Sequence, residues 1–149
     1  MDIIQGDITK ETSGLIIHGV NAQGVMGSGV ALAIKTKWPE IYEDYMRHKQ
    51  GKEAMGQIQV INISNGLYVA NCWTQEFFGK DGAVYGDMHA LRKCLIQAFW
   101  FCEDYKLELK SPKIGCGLAG LSWEKQVKQV FEELSRIHPD VKVKIFEFN

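Results

Sequence analysis

Residues 14–37 read GLIIHGVNAQGVMGSGVALAIKTK, and three kinds of segment follow one another in that stretch. Residues 14–20 are a β-branched apolar run too short for a helix, which predicts a strand. Gly24, Gly27 and Gly29 then crowd into six positions. From Val30 the chain turns helix-prone and stops before Pro39, which suits the first turn of a second helix. A strand, a glycine loop and a helix in direct succession form the repeating unit of an α/β protein. The same succession recurs near the far end of the sequence. Lys113-Ile114 ends a short strand, Gly115, Gly117 and Gly120 fill the next loop, and residues 123–137 read as a helix with Val127, Val130, Phe131 and Leu134 inward.

Residues 2–5 form a short strand stopped by Gly6. Residues 39–49 form the second helix, with Ile41, Tyr45 and His48 at helical spacing. Residues 57–62 alternate as a half-buried strand does, and residues 67–73 form its partner. Asn65-Gly66 between the two is a strong hairpin signal. The loop 74–86 carries Gly79, Gly82 and Gly86, and residues 87–105 are a long helix that Asp87 can cap. Met88, Leu91, Leu95, Ala98 and Cys102 share its inner face. His138-Pro139 ends the last helix, and residues 141–148 alternate as a final strand. The order ββααββαβαβ predicts an α/β sandwich with helices on both faces of one sheet.

The 149 residues suit one domain spanning 1–149. Charged residues make up 23% and hydrophobic residues 46%, an ordinary globular composition. A net charge of −1 leaves no broad basic field, which argues against duplex nucleic acid as a partner. The 15 glycines are the one excess, concentrated in the two loops. Cys72, Cys94, Cys102 and Cys116 form no C-x-x-C pair, and no histidine flanks them at zinc-ligand spacing, so no metal is expected. No apolar run reaches the roughly 20 residues of a membrane span, and the start lacks a signal-peptide pattern. These features point to a cytoplasmic protein with reduced thiols.

A glycine loop between a strand end and a helix start exposes backbone N–H groups, and the helix dipole adds positive potential there. Two such loops in a small protein can hold a diphosphate between them; the competing reading is that the glycines only serve tight turns. A P-loop is excluded, because no G-x-x-x-x-G-K-[ST] occurs. Residues 115–120 match G-x-G-x-x-G, but too near the end for a Rossmann half-domain. Cys116 is followed six residues later by Ser122, not by the arginine of a cysteine phosphatase loop, which favours a small loop residue over a nucleophile. His18 ends the second strand beside the first loop. It reads either as a general acid or base at a bound phosphate or as a satisfied core histidine. Asp81 and Asp87 are candidate second carboxylates, although Asp87 reads better as a helix cap, and Glu76 reads either as a group orienting water or ribose or as a solvated loop charge. Trp123 either walls the site or staples its helix.

Gly6-Asp7-Ile8-Thr9, Val20-Asn21-Ala22, Gly27-Ser28-Gly29-Val30 and Gly115-Cys116-Gly117-Leu118-Ala119-Gly120 occur in the order seen in macrodomains, and the whole chain resembles that family. The resemblance implies a mixed six-stranded sheet with ADP-ribose bound along one crest. It implies that Asp7 and Ile8 hold the adenine and that Phe146 or Phe148 flanks it. It further implies that Gly27, Ser28, Gly29 and Val30 clamp the diphosphate and distal ribose together with residues 115–120, and that Asn21 faces that ribose. Ala31 stands where one group of mono-ADP-ribosyl hydrolases carries an aspartate. His18, Met26-Gly27-Ser28-Gly29 and residues 113–118 leading to Trp123 resemble the branch of ADP-ribose-1″-phosphate phosphatases and terminal ADP-ribose protein glycohydrolases. Glu76 and Ala119 stand where the glycohydrolase keeps a lysine and an aspartate. The resemblance therefore favours a phosphatase that converts ADP-ribose-1″-phosphate to ADP-ribose and phosphate, monomeric and without cofactor or metal, with His18 and Asn21 catalytic. The alternatives are an ADP-ribosyl hydrolase acting on modified protein or nucleic acid, and a non-catalytic ADP-ribose reader.

Overall fold

The computed structural model describes residues 1–148. Among them are six strands, β1 (Asp2–Gln5), β2 (Gly14–Asn21), β3 (Ile58–Ser64), β4 (Leu67–Gln75), β5 (Leu109–Pro112) and β6 (Val143–Glu147). Four α-helices accompany them, α1 (Gly29–Lys37), α2 (Pro39–Arg47), α3 (Met88–Tyr105) and α4 (Lys128–Ile137). The strands make one sheet in the order β1-β6-β5-β2-β4-β3. Every neighbouring pair is parallel except β3–β4, which forms the antiparallel edge. That exception is the Asn65-Gly66 hairpin, where Gly66 takes the left-handed φ of +80° that such a turn needs.

β2 lies at the centre and is covered on both faces, which is why its sequence is apolar without alternation. Leu15 and Ile17 pack into the layer of α3 and α4, with Leu91, Leu95, Phe99, Phe131 and Leu134. Ile16 and Val20 pack the other way, against Ile34 of α1 and Ile41 and Tyr45 of α2. The result is the three-layer α/β sandwich expected from the element order. No helix among the described residues is long and apolar enough to cross a membrane.

Most boundaries fall within two residues of the sequence expectation, and three differences bear on the loops around the sheet's edge or ends. β5 stops at Pro112 instead of Ile114, because the Ile114 N–H turns back to the Pro112 carbonyl at 2.7 Å. The helix after the second glycine loop opens with a π-helical turn, Trp123–Val127, before α4 begins. The last strand covers Val143–Glu147 and not 141–148.

Since β1, β6, β5, β2 and β4 all run in one direction, their carboxyl ends share one edge of the sheet. The loops that leave β2, β4 and β5 gather there side by side, the position at which open parallel sheets place their ligands.

Candidate functional site

A cavity of about 400 Å³ opens at that edge. Its walls are the loop and first turn of α1 (Gly27, Ser28, Gly29, Val30, Ala31), the loop after β5 (Lys113, Gly115, Gly117, Leu118, Ala119) and the loop after β4 (Phe78, Gly79, Lys80). His18 within β2 and Asn21 at its end line it as well. The volume falls in the range of small-molecule sites.

The two glycine loops contribute in different ways. Ser28 is the N-cap of α1, yet its side chain makes no capping hydrogen bond. The first N–H groups of a helix have no intrahelical acceptor, so those of Gly29, Val30 and Ala31 remain available at the positive end of the dipole. The first turn carries no acidic residue, and Lys35 and Lys37 sit in the last. The second helix start, by contrast, satisfies itself. Ser122 Oγ accepts from Lys125 N at 3.1 Å, and Gln126 Oε1 accepts from Ser122 N at 2.9 Å. The second loop instead offers its own backbone. It is closed by Leu121 N to the Gly115 carbonyl at 2.9 Å and by Gly120 N to the Gly117 carbonyl at 3.1 Å. The N–H groups of Gly117, Leu118 and Ala119 find no acceptor among the described residues. The cavity thus has a dipole-backed wall of donors opposite a short backbone nest, which suits an anion with several oxygens.

His18 is 1% exposed. One ring nitrogen, Nε2, lies 2.5 Å from Asn71 Oδ1, while Nδ1 has no partner. Burial pushes its pKa down to about 4, against a smaller upward pull from the Asn71 hydrogen bond. The imidazole is therefore neutral at pH 7. A neutral imidazole can accept a hydrogen bond or a proton and holds no stored acid.

Asn21 lines the cavity but its amide is already engaged. Nδ2 donates to the Val25 carbonyl at 2.8 Å, and Oδ1 accepts from Gln23 N, Val25 N and the Tyr45 hydroxyl. Asn21 thereby holds the 22–26 loop in shape. Met26 is 2% exposed, with its side chain in the core beneath α1, and it does not line the cavity that Val25 and Gly27 line. Cys116 and Gly120 also stay out of the lining. The Cys116 thiol donates to the Ile114 carbonyl, and burial raises its pKa to about 11, which leaves it unreactive. Gly120 has φ +84°, and a Cβ there would lie 3.2 Å from Val84 Cα, so this glycine answers a turn and a close approach. Trp123 is buried against Phe131, a core residue more than a wall.

Asp7 sits after β1, toward the far edge of the sheet. Its carboxylate accepts from Thr9 N at 2.9 Å and Thr9 Oγ1 at 2.6 Å, and these bonds hold its pKa below the usual value. The neighbouring Ile8 has its side chain in the core. Of the two aromatics expected beside an adenine, Phe146 is buried in the core under α1. Phe148 lies one residue past β6 and is 73% exposed; neither lines the cavity.

Sequence reasoning missed two cations. Lys113 lines the cavity while paired with Glu147. Lys80 lines it from the 76–87 loop and has no ion pair among the described residues. Glu76, four positions earlier, faces a neighbouring hollow instead, while its carbonyl receives Ala22 N at 3.1 Å. The glycine spacing of this loop was the available signal, but it does not say which side chain turns inward.

The model of the Macro domain family fits residues 17–130, a span that takes in the second half of β2, both glycine loops and the start of α4. The chain belongs to the Macro domain family. A solved protein from Bacteroides thetaiotaomicron superposes on this macrodomain with a TM-score of 0.86 at 31% identity, over 98% of both chains. A DNA ADP-ribosyl glycohydrolase of Thermus aquaticus is 26% identical over 97% of this chain, which spans only 40% of that relative's length. An ADP-ribose 1″-phosphate phosphatase of Saccharomyces cerevisiae is 25% identical, with 89% of this chain and 91% of the relative covered.

Proposed function

We propose that this macrodomain binds ADP-ribose-1″-phosphate in the cavity and hydrolyses its terminal phosphate. The observation that carries this reading is the pairing of two walls of free backbone donors with a neutral, cavity-lining His18. The donors stabilise negative charge as it grows on phosphate oxygens, where fixed dipoles act most strongly. Lys80 and Lys113 add positive charge at the rim. His18 Nδ1 takes the proton of the attacking water. A bond forms from that oxygen to phosphorus as the bond to the 1″-oxygen breaks, the departing 1″-oxygen takes a proton from solvent, and ADP-ribose and inorganic phosphate are the products. The relatives named as ADP-ribose 1″-phosphate phosphatases support this choice and are similar over nearly their whole length.

A second reading, removal of ADP-ribose from a modified nucleic acid or protein, is favoured by Lys80. It restores to the cavity wall the amine that Glu76 denied to the expected position. The relatives named as DNA ADP-ribosyl glycohydrolases point the same way.

Phosphate release from ADP-ribose-1″-phosphate by wild type, His18→Ala and Lys80→Met separates the two. Loss in the His18 variant alone supports the phosphatase. Equal rates in wild type and His18→Ala overturn the proposed mechanism, and failure to bind ADP-ribose by calorimetry at millimolar concentration overturns the site.

A further inference from the structure

His18, Asn71 and Gln59 stand side by side across three adjacent strands. His18 of β2 is in register with Asn71 of β4, and Asn71 with Gln59 of β3. Their side chains form a row beneath α2, tied to two of its backbone carbonyls. Each hydrogen bond in the row has one permitted direction. Gln59 Nε2 donates to the Asp44 carbonyl at 2.9 Å, so Gln59 presents its oxygen to Asn71. Asn71 Nδ2 donates to that oxygen at 3.0 Å and to the Ile41 carbonyl at 3.2 Å. Both are acceptors only, so the Asn71 amide cannot turn over without setting oxygen against oxygen. Asn71 Oδ1 is left facing His18, and the bond at 2.5 Å requires the proton on Nε2.

We infer that Asn71 and Gln59 are positioning residues that lock His18 in the Nε2–H tautomer, leaving the lone pair on Nδ1 to accept a proton or hydrogen bond from the bound ligand. The unpartnered Nδ1 is the second observation in favour, because it is the one atom of the ring with nothing to bind in the protein. The row gives direction as well as place. α2 fixes Gln59 and Asn71 through carbonyls that belong to its own helical backbone, and those cannot change their polarity. The step at Nδ1 rests on the proposed hydrolysis, whereas the tautomer itself does not.

A long-range nitrogen–proton correlation spectrum of the histidine side chains of the whole protein, at neutral pH, tests the lock. The expected result is an unprotonated, pyridine-type Nδ1 and a protonated, pyrrole-type Nε2 for His18. A proton on Nδ1, or an imidazolium, overturns the inference. Asn71→Leu removes the lock and gives both tautomers. Since its buried position makes folding of that variant demanding, Gln59→Met at a half-buried position serves beside it. Loss of the one acceptor lowers kcat about fivefold with KM unchanged, the equivalent of roughly 1 kcal/mol. A Gln59→Met protein with wild-type kcat and an unchanged spectrum overturns the relay. The expected spectrum together with no turnover supports the lock and overturns only the phosphatase reading.

Discussion

Lowering the pH tests the buried imidazole in isolation if the comparison is His18→Gln. The Gln side chain keeps an amide donor for Asn71 Oδ1 but cannot titrate. In the wild type, His18 binds a proton near pH 6.5 when unfolded and only near about 4 when folded, because burial penalises the charged form. Between those values the unfolded chain holds the extra proton. Stability is therefore fully present above pH 6.5 and falls as the pH drops toward 4. Each pKa unit is worth about 1.4 kcal/mol, so the wild type loses ~3 kcal/mol over the window from this group. That is a large share of the 5–15 kcal/mol usual for a domain. Carboxylates with lowered pKa values, Asp7 among them, contribute to both proteins alike and cancel in the difference. Urea unfolding at half-unit steps from pH 7 to 4 measures it. Wild type should converge on or fall below His18→Gln as the pH drops. Parallel curves would refute the claim that His18 is buried and neutral.

Gly117 faces open space with no positive φ, so Gly117→Glu leaves the fold intact. It places a carboxylate in the anion cavity, and calorimetry should show ADP-ribose affinity reduced about tenfold or more. Gly120→Ala has the opposite profile. The left-handed φ and the Val84 backbone make it destabilising by about 2 kcal/mol in urea melts, while the cavity walls keep their donors. Lys110, 4% exposed, reaches Glu11 at 2.9 Å and the Ser13 carbonyl at 2.8 Å. Lys110→Met leaves both unpaired and should cost up to about 3 kcal/mol, read as a lower urea midpoint at unchanged slope. With turnover established, the acid limb of kcat/KM should lie near 4 and not 6.5.

The fold was legible because its signals are local. The β2 run, the Asn65-Gly66 turn and the spaced apolar residues of α3 each name their element without help from distant parts of the chain. The site was legible as far as the backbone carried it. Gly27, Gly29, Gly115 and Gly117 line the cavity as glycine spacing implied. Side-chain roles were not legible. Asn21 looked free in sequence, and only the fold brings Tyr45 and Val25 to its amide. Phe146 and Phe148 are two residues apart, so strand periodicity assigns them one face, yet Phe146 is buried in the core and Phe148, past the end of β6, is exposed, a difference set by where the strand stops. Lys80 sits in a loop, where no periodicity assigns an inward side.

The two glycine loops looked equivalent in sequence, and their difference has a chemical consequence. At α1 the donors are backed by a nine-residue helix with no side-chain cap, so its free N–H groups and positive dipole end act together within the first turn and favour the more highly charged end of a ligand. At the second loop the helix behind is capped by Ser122, and the donors are only the local N–H groups of 117–119. Such a nest binds by geometry, one oxygen at a time. A symmetric clamp would hold a diphosphate in either orientation. An asymmetric one orients it, with the greater negative charge toward Gly29 and Val30. His18 lies within β2, three residues before its end, in the strand that feeds the α1 loop. A neutral base is thus on the side where charge accumulates, and an imidazolium in its place would be held by that charge and could not accept a proton. The low pKa of His18 and the uncapped start of α1 therefore belong to one arrangement, and changing either should alter turnover more than binding.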